Sequence, residues 1–218
     1  MQRILIWMVG IYGLMAGPVK ACSLALLLAV DVSASIDQGE FEFQTYGLAD
    51  ALLDPEVADV LVQHQVALSV VQWSGAGEEE LSVPWRRMLT YDEVRVFSER
   101  VRALPRAWVG SNTAVGDAIA FSVEQFSAVP DCGRKVIDVS GDGASNAGTD
   151  TGSERSNAQD MGIEINGIAI DIHGVSITEY YRRFVITKNG FVITSRGFSD
   201  YPRSIREKLL KELIKPGS

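Results

Sequence analysis

Seven apolar residues in a row, Leu24 to Val30, are bounded by polar ones and carry no alternation. Such a run reads as a strand buried on both faces, the kind found at the centre of a parallel sheet. Val66 to Trp73, rich in β-branched residues, predicts a second strand, and Glu80 to Trp85 a third. Only residues 74–79, opening with the turn Ser74-Gly75-Ala76-Gly77, separate these two, too few for a helix, so they form a hairpin. Pro84 cannot donate to a ladder, which puts the third strand at an edge. Arg134 to Ser140, Gly162 to Ile170 and Phe191 to Thr194 predict strands four to six.

Between the strands the period changes to that of a helix. Phe41, Thr45, Leu48 and Leu52 mark a helix over 37–53, which Asp54-Pro55 ends, and Pro55 opens a short helical turn through Val62. Val94, Phe97, Val101 and Leu104 line the next helix, and Val115, Ala118, Ile119, Val123 and Phe126 the one after it. Residues 153–161 read as helical. Ile177, Tyr180, Tyr181, Phe184 and Val185 form a further helix face, and Ile205, Leu209 and Leu213 seat a last helix over about 201–214. Strands alternating with helices in this way predict right-handed crossovers and a doubly wound, mostly parallel α/β sheet with one antiparallel edge strand.

Polar clusters fall where buried strands give out, the usual place for ligand sites in open α/β sheets. The first strand runs into Asp31-Val32-Ser33-Ala34-Ser35, which offers a carboxylate and two hydroxyls at alternate positions. Those are hard oxygen donors of the kind Mg²⁺ takes. The same loop also reads as a helix cap, with Ser35 or Asp37 before the helical pattern. Gly110-Ser111-Asn112-Thr113 precedes the fourth helix, where Thr113 either caps or ligates. The fourth strand ends in Gly141-Asp142-Gly143, a carboxylate between two residues that allow close backbone approach.

Composition changes the picture in two ways. The chain has 218 residues, is 46% hydrophobic and 22% charged, and carries a formal charge of −8. That is ordinary for a globular chain, read here as one domain, and it speaks against nucleic acid or an anionic membrane surface as a partner. The start stands apart. Arg3, an apolar stretch from Ile4 to Ala16, and Pro18-Val19-Lys20-Ala21 read as a secretory signal peptide over 1–21, leaving a mature domain over 22–218 with no stable membrane insertion. Losing Arg3 and Lys20 would take the charge from −8 to −10. A periplasmic or secreted location follows.

The two cysteines fit an oxidising compartment. Cys22 lies nine residues before Asp31 and Cys132 ten before Asp142. If both aspartates end neighbouring parallel strands, both cysteines begin them, which predicts a Cys22–Cys132 disulfide. Lipid attachment at Cys22, or two unpaired thiols, are the other readings. Candidate enzymatic groups are few. His64 and His173 sit in no triad context, and the chain has neither a Gly-x-Ser-x-Gly elbow nor a phosphate-cradling loop. Tyr180-Tyr181-Arg182-Arg183 reads as an aromatic inner face with a solvated basic outer one, and Trp73 and Trp85 as packing residues.

Taken together, Asp31-x-Ser33-x-Ser35, Thr113 and Asp142, in that order on those elements, resemble the metal-ion-dependent adhesion site of the von Willebrand factor type A domain. The likeness spans 22–214. The segments VVQWSG, GDAI, IDVSGDG and REKLLKEL are similar to a bacterial exported subfamily of unassigned function, the DUF1194 type. The resemblance implies a Rossmann-like six-stranded sheet in the order 3-2-1-4-5-6, strand 3 antiparallel, with helices on both faces. It implies a site of Asp31, Ser33, Ser35, Thr113 and Asp142 that holds Mg²⁺, or Mn²⁺, and takes an acidic side chain from a protein partner. Gly141 departs from many relatives, which carry Thr there, and so lacks a hydroxyl near the metal. Two neutral-ligand-rich loops with only two carboxylates suit binding more than catalysis, and the expectation is a non-enzymatic module. A Mg²⁺-assisted hydrolase, or a metal that only ties the loops, are the alternatives.

Overall fold

The computed structural model describes residues 22–172 and 176–214. The expected signal peptide and His173 lie outside them. The chain forms β1 (Leu24–Asp31), α1 (Gln38–Leu52), α2 (Pro55–Gln63), β2 (Ala67–Trp73), β3 (Glu79–Arg87), α3 (Tyr91–Arg102) and α4 (Val115–Gln125). Then follow β4 (Arg134–Gly141), α5 (Thr151–Asp160), β5 (Glu164–Ile170), α6 (Ser176–Tyr180), β6 (Val192–Ser195) and α7 (Tyr201–Ile214). Each predicted strand and helix is present, with ends displaced by a residue or two, except that the α-helix expected through Val185 stops at Tyr180.

The six strands lie in the order β3-β2-β1-β4-β5-β6, β3 antiparallel to β2 and the rest parallel. Every residue of β1 and β2 is buried, as apolar runs without alternation require. One sheet face packs Leu24, Leu26, Leu28 and Val30 under α1, α2, α3 and α7. The other packs Ala25, Leu27, Ala29, Ile137, Val139, Ile165 and Ala169 under α4, α5 and the segment after α6. Pro84 and Trp85 fall in a register shift of the β2–β3 ladder, between the pairs Val70–Val83 and Leu68–Arg86, so the missing N–H of Pro84 interrupts no paired position. Trp73 is fully buried and Trp85 packs on Phe126, its indole N–H donating to the Gln125 carbonyl (2.9 Å). Both tryptophans are packing residues.

Local chemistry explains the helix starts. Asp37 and Glu40 exchange side-chain and backbone hydrogen bonds of 2.8 Å at the head of α1, and Thr90 and Glu93 do the same at α3. Asp37 is therefore the cap of α1, and Ser35 is left for another role. Cys22 and Cys132, at the starts of β1 and β4, are joined by a disulfide. The segment after α6 winds more widely, as a five-residue π turn, Tyr181–Val185. It buries Tyr181 and Val185 but leaves Phe184 39% exposed, so Phe184 departs from the expected inner face. Arg182 pairs with Glu179 and Arg183 lies over the Phe184 ring, which accounts for that basic pair as solvated surface.

One buried ionic cluster lies away from the strand ends. Lys208 and Glu212 of α7, both without exposed surface, meet Asp138 of β4, with Lys208 Nζ 2.6 Å from Asp138 Oδ1 and 2.5 Å from Glu212 Oε1. Two acids share one cation here, and burial pushes both carboxyls up, Glu212 to about 7.

Candidate metal centre

The C-terminal ends of β1 and β4 leave the sheet side by side, and three loops converge there. β1 ends in Asp31, whose Oδ1 accepts the Ser33 backbone N–H at 2.8 Å and so turns the chain tightly. That loop is tied down from outside. Arg106 Nη2 donates to the carbonyls of Val32 (3.0 Å) and Ser33 (2.8 Å), Gln44 Nε2 donates to that of Asp31 (3.1 Å), and Ala34 N–H reaches the Ser111 carbonyl (2.9 Å).

Thr113 does not cap α4. The helix begins at Val115 behind Ala114, which makes no side-chain cap. Thr113 is instead clasped by Asn146. Its N–H donates to Asn146 Oδ1, and the Asn146 N–H donates to the Thr113 carbonyl, each at 2.9 Å. That leaves the Thr113 hydroxyl free to reach Ser33 Oγ at 3.2 Å. Ser33 Oγ lies 3.4 Å from Ser35 Oγ, and Ser35 Oγ donates to Asp142 Oδ1 at 2.7 Å. The structure thus brings all five sequence-predicted side chains into one continuous cluster.

Its electrostatics are unbalanced. Asp31 and Ser33 are fully buried and Thr113 nearly so. Burial, reinforced by the nearby Asp142 charge, lifts the Asp31 carboxyl from 3.8 to about 7, against the lowering effect of its Ser33 hydrogen bonds and of Arg106. Burial also pushes Asp142 up, opposed by Ser35. Asp31 Oδ2 is buried with no hydrogen-bond partner, a costly state for a carboxylate oxygen. Five hard oxygens, an excess of negative charge and an orphaned oxygen together fit a divalent cation. Among the described residues no three His, Cys, Asp or Glu side chains converge, so any such ion would rest on two carboxylates and neutral hydroxyls.

Sequence reasoning missed Arg106, Gln44, Asn146 and Tyr181. Tyr181 is wholly buried, and its hydroxyl also lacks a partner. A signal for it existed in Gly141, at the end of β4, and Gly167, inside β5, since glycines in strands mark close approach of another group. His64 lies at the opposite end of the sheet, where its carbonyl accepts the Ser23 N–H at the start of β1 (3.3 Å).

Comparison with known proteins adds the following. The family described as a protein of unknown function, DUF1194, matches residues 21–217. Comparison with curated proteins finds no match. Among solved structures, a von Willebrand factor type A protein from Catenulispora acidiphila is 17% identical with a TM-score of 0.65, the match covering 89% of this chain and 43% of that one. Proximal thread matrix protein 1 from the mussel byssus, with a zinc-occupied MIDAS motif, is 15% identical with a TM-score of 0.65, covering 89% and 46%. The pilus adhesin SpaC from Lactobacillus rhamnosus GG is 14% identical with a TM-score of 0.65, covering 88% and 30%. The chain spans less than half the length of each of these three. At such identities the likeness shows a shared fold.

Proposed function

The chain belongs to the DUF1194 family, and we propose that it is a metal-dependent, adhesion-type protein-binding module rather than an enzyme. Asp31, Ser33, Ser35, Thr113 and Asp142 would hold Mg²⁺, with Mn²⁺ as a substitute, and the bound cation would supply a positive charge and an open position for an oxygen from outside. The partner is a protein that presents a Glu or Asp side chain there. The observation that carries this reading is the buried, unpartnered Asp31 Oδ2 at the head of a five-oxygen cluster.

The residues divide the work. Asp31 and Asp142 contribute charge, the three hydroxyls contribute neutral oxygens, and Arg106 and Gln44 keep the first loop in place by holding its carbonyls. Because the hydroxyls are neutral, a cation here keeps much of its pull on an incoming carboxylate. The zinc-occupied motif of the byssus protein and the adhesin among the structural neighbours support the reading. His64 stands at the far end of the sheet, which disfavours it as the base of a Mg²⁺-assisted hydrolase. We place the mature protein, residues 22–218 as a single domain after a signal peptide over 1–21, in the periplasm or outside the cell. No described helix is long and apolar enough to cross a membrane.

Calorimetric titration with Mg²⁺ and Mn²⁺ tests the site. Wild type should bind and Asp31→Ala and Asp142→Ala should not, with the fold retained by circular dichroism. Capture from the exported fraction should then yield a partner that EDTA releases. A wild-type titration that is flat at millimolar metal would sink the proposal.

A further inference from the structure

The Tyr181 ring lies in a trough cut across the α4–α5 face of the sheet. A Cβ on Gly167 of β5 would stand 2.6 Å from the ring's Cδ1, so only glycine admits the ring there. Further along, a Cβ on Gly141 would stand 2.7 Å from the Tyr181 hydroxyl oxygen and 2.8 Å from Asp31 Oδ2. The two oxygens therefore share one space beside that glycine. Both are buried, and neither has a hydrogen-bond partner. Buried polar atoms are rarely left so, and here two of them, one able to donate and one able only to accept, face the same spot. The π turn that follows α6 carries Tyr181 at its first position, with Ile186 N–H closing on the Tyr181 carbonyl at 3.0 Å. Such wide turns recur at functional sites.

We infer that Tyr181 is a positioning residue of the metal centre, its hydroxyl available to Asp31 Oδ2 once a cation engages that carboxylate, from the space that a side chain at position 141 would otherwise take. This rests on the reading of the five-oxygen cluster as a cation site. Gly141 and Gly167 are, on this account, the two residues whose missing side chains let Tyr181 reach the carboxylate. The tyrosine would orient Asp31 through the oxygen that the Ser33 N–H does not hold. Groups of this kind, one step out from the ligands, are typically worth 10- to 100-fold in metal affinity.

The test compares the purified wild-type chain with Tyr181→Phe and with Val185→Ala, using Mn²⁺ calorimetry and thermal melting in EDTA. Tyr181→Phe keeps the ring in its trough. It should lower Mn²⁺ affinity about tenfold and leave the EDTA melting temperature at or above the wild-type value. Val185→Ala thins the packing of the same turn without touching the hydroxyl; it should lower the EDTA melting temperature and leave Mn²⁺ affinity near the wild-type value, the opposite pattern to Tyr181→Phe. Wild-type binding matched by Tyr181→Phe would overturn the role of Tyr181 alone. A loss of affinity in Tyr181→Phe that comes with a fall in its EDTA melting temperature, and that Val185→Ala matches, would reduce Tyr181 to a core residue. A flat wild-type titration would overturn the cation site and this role together.

Discussion

Removing the charge of Asp31 should stabilise the metal-free protein while abolishing metal binding. The Asp31 carboxyl is fully buried and its pKa is raised from 3.8 to about 7. An unfolded aspartate releases its proton near 3.9. Between those pH values the folded state holds the proton more tightly, so the stability of the metal-free protein falls as pH rises, and the full loss is reached above the folded value. The gap amounts to about 4 kcal/mol at pH 8 as an upper bound. Relaxation of the site and entry of water reduce it, and roughly 2 kcal/mol is the working expectation. For a chain of this size that is about 4–8 °C in melting temperature.

Asp31→Asn keeps an acceptor for the Ser33 N–H and can donate where Oδ2 has no partner. In EDTA at pH 8 it should melt about 4–8 °C above wild type, and the difference should shrink by more than half by pH 5. Asp138 and Glu212 titrate in both proteins and cancel in the comparison. Saturating Mg²⁺ should reverse the order, adding about 2.7 kcal/mol to wild type at a hundredfold excess over Kd and nothing to the variant. Differential scanning calorimetry over pH 4–8, with and without Mg²⁺, reads all of this. An Asp31→Asn protein no more stable than wild type at pH 8, or a difference that ignores pH, would refute the claim that the site stores unbalanced charge.

Two further outcomes follow from the buried polar groups. Lys208→Met leaves Asp138 and Glu212 facing each other without their cation and should cost roughly 3–5 kcal/mol in urea denaturation, most of it recovered when Asp138→Asn and Glu212→Gln are added; a loss under about 1 kcal/mol, no more than an exposed pair is worth, would refute the cluster's dependence on its cation. Arg106→Ala frees the carbonyls of Val32 and Ser33, costs about 1–3 kcal/mol, and should weaken Mn²⁺ binding while raising amide exchange at residues 32–35; unchanged exchange would deny Arg106 its hold on the loop.

How far the sequence reached depends on what each signal measures. Apolar runs report burial, so β1 and β2 were legible from Leu24–Val30 and Val66–Trp73, and the regular change of period located each helix. The carboxylates after β1 and β4 stood out because each comes where a buried strand gives out, Asp31 after an unbroken apolar run and Asp142 between two glycines. The cysteines could be paired by counting back from those same aspartates. What the sequence by itself determined, then, was the α/β architecture and the three segments whose polar residues emerge at one edge of it.

Only the tertiary structure decided how those segments meet. Ser33 and Thr113 are 80 residues apart and Ser35 and Asp142 are 107 apart, and hydrogen bonds across such distances leave no periodic trace. Whether Ser35 or Asp37 caps α1, and whether Thr113 caps α4, turned on partners elsewhere: Glu40 claims Asp37, and Asn146 holds Thr113 aside from the helix. Arg106 and Lys208 belong to no motif in the linear chain, yet one grips the first loop and the other is sealed between α7 and β4. Tyr181 looked like one more apolar face residue, because a glycine shows in sequence only that something may come close, and folding alone determines what does.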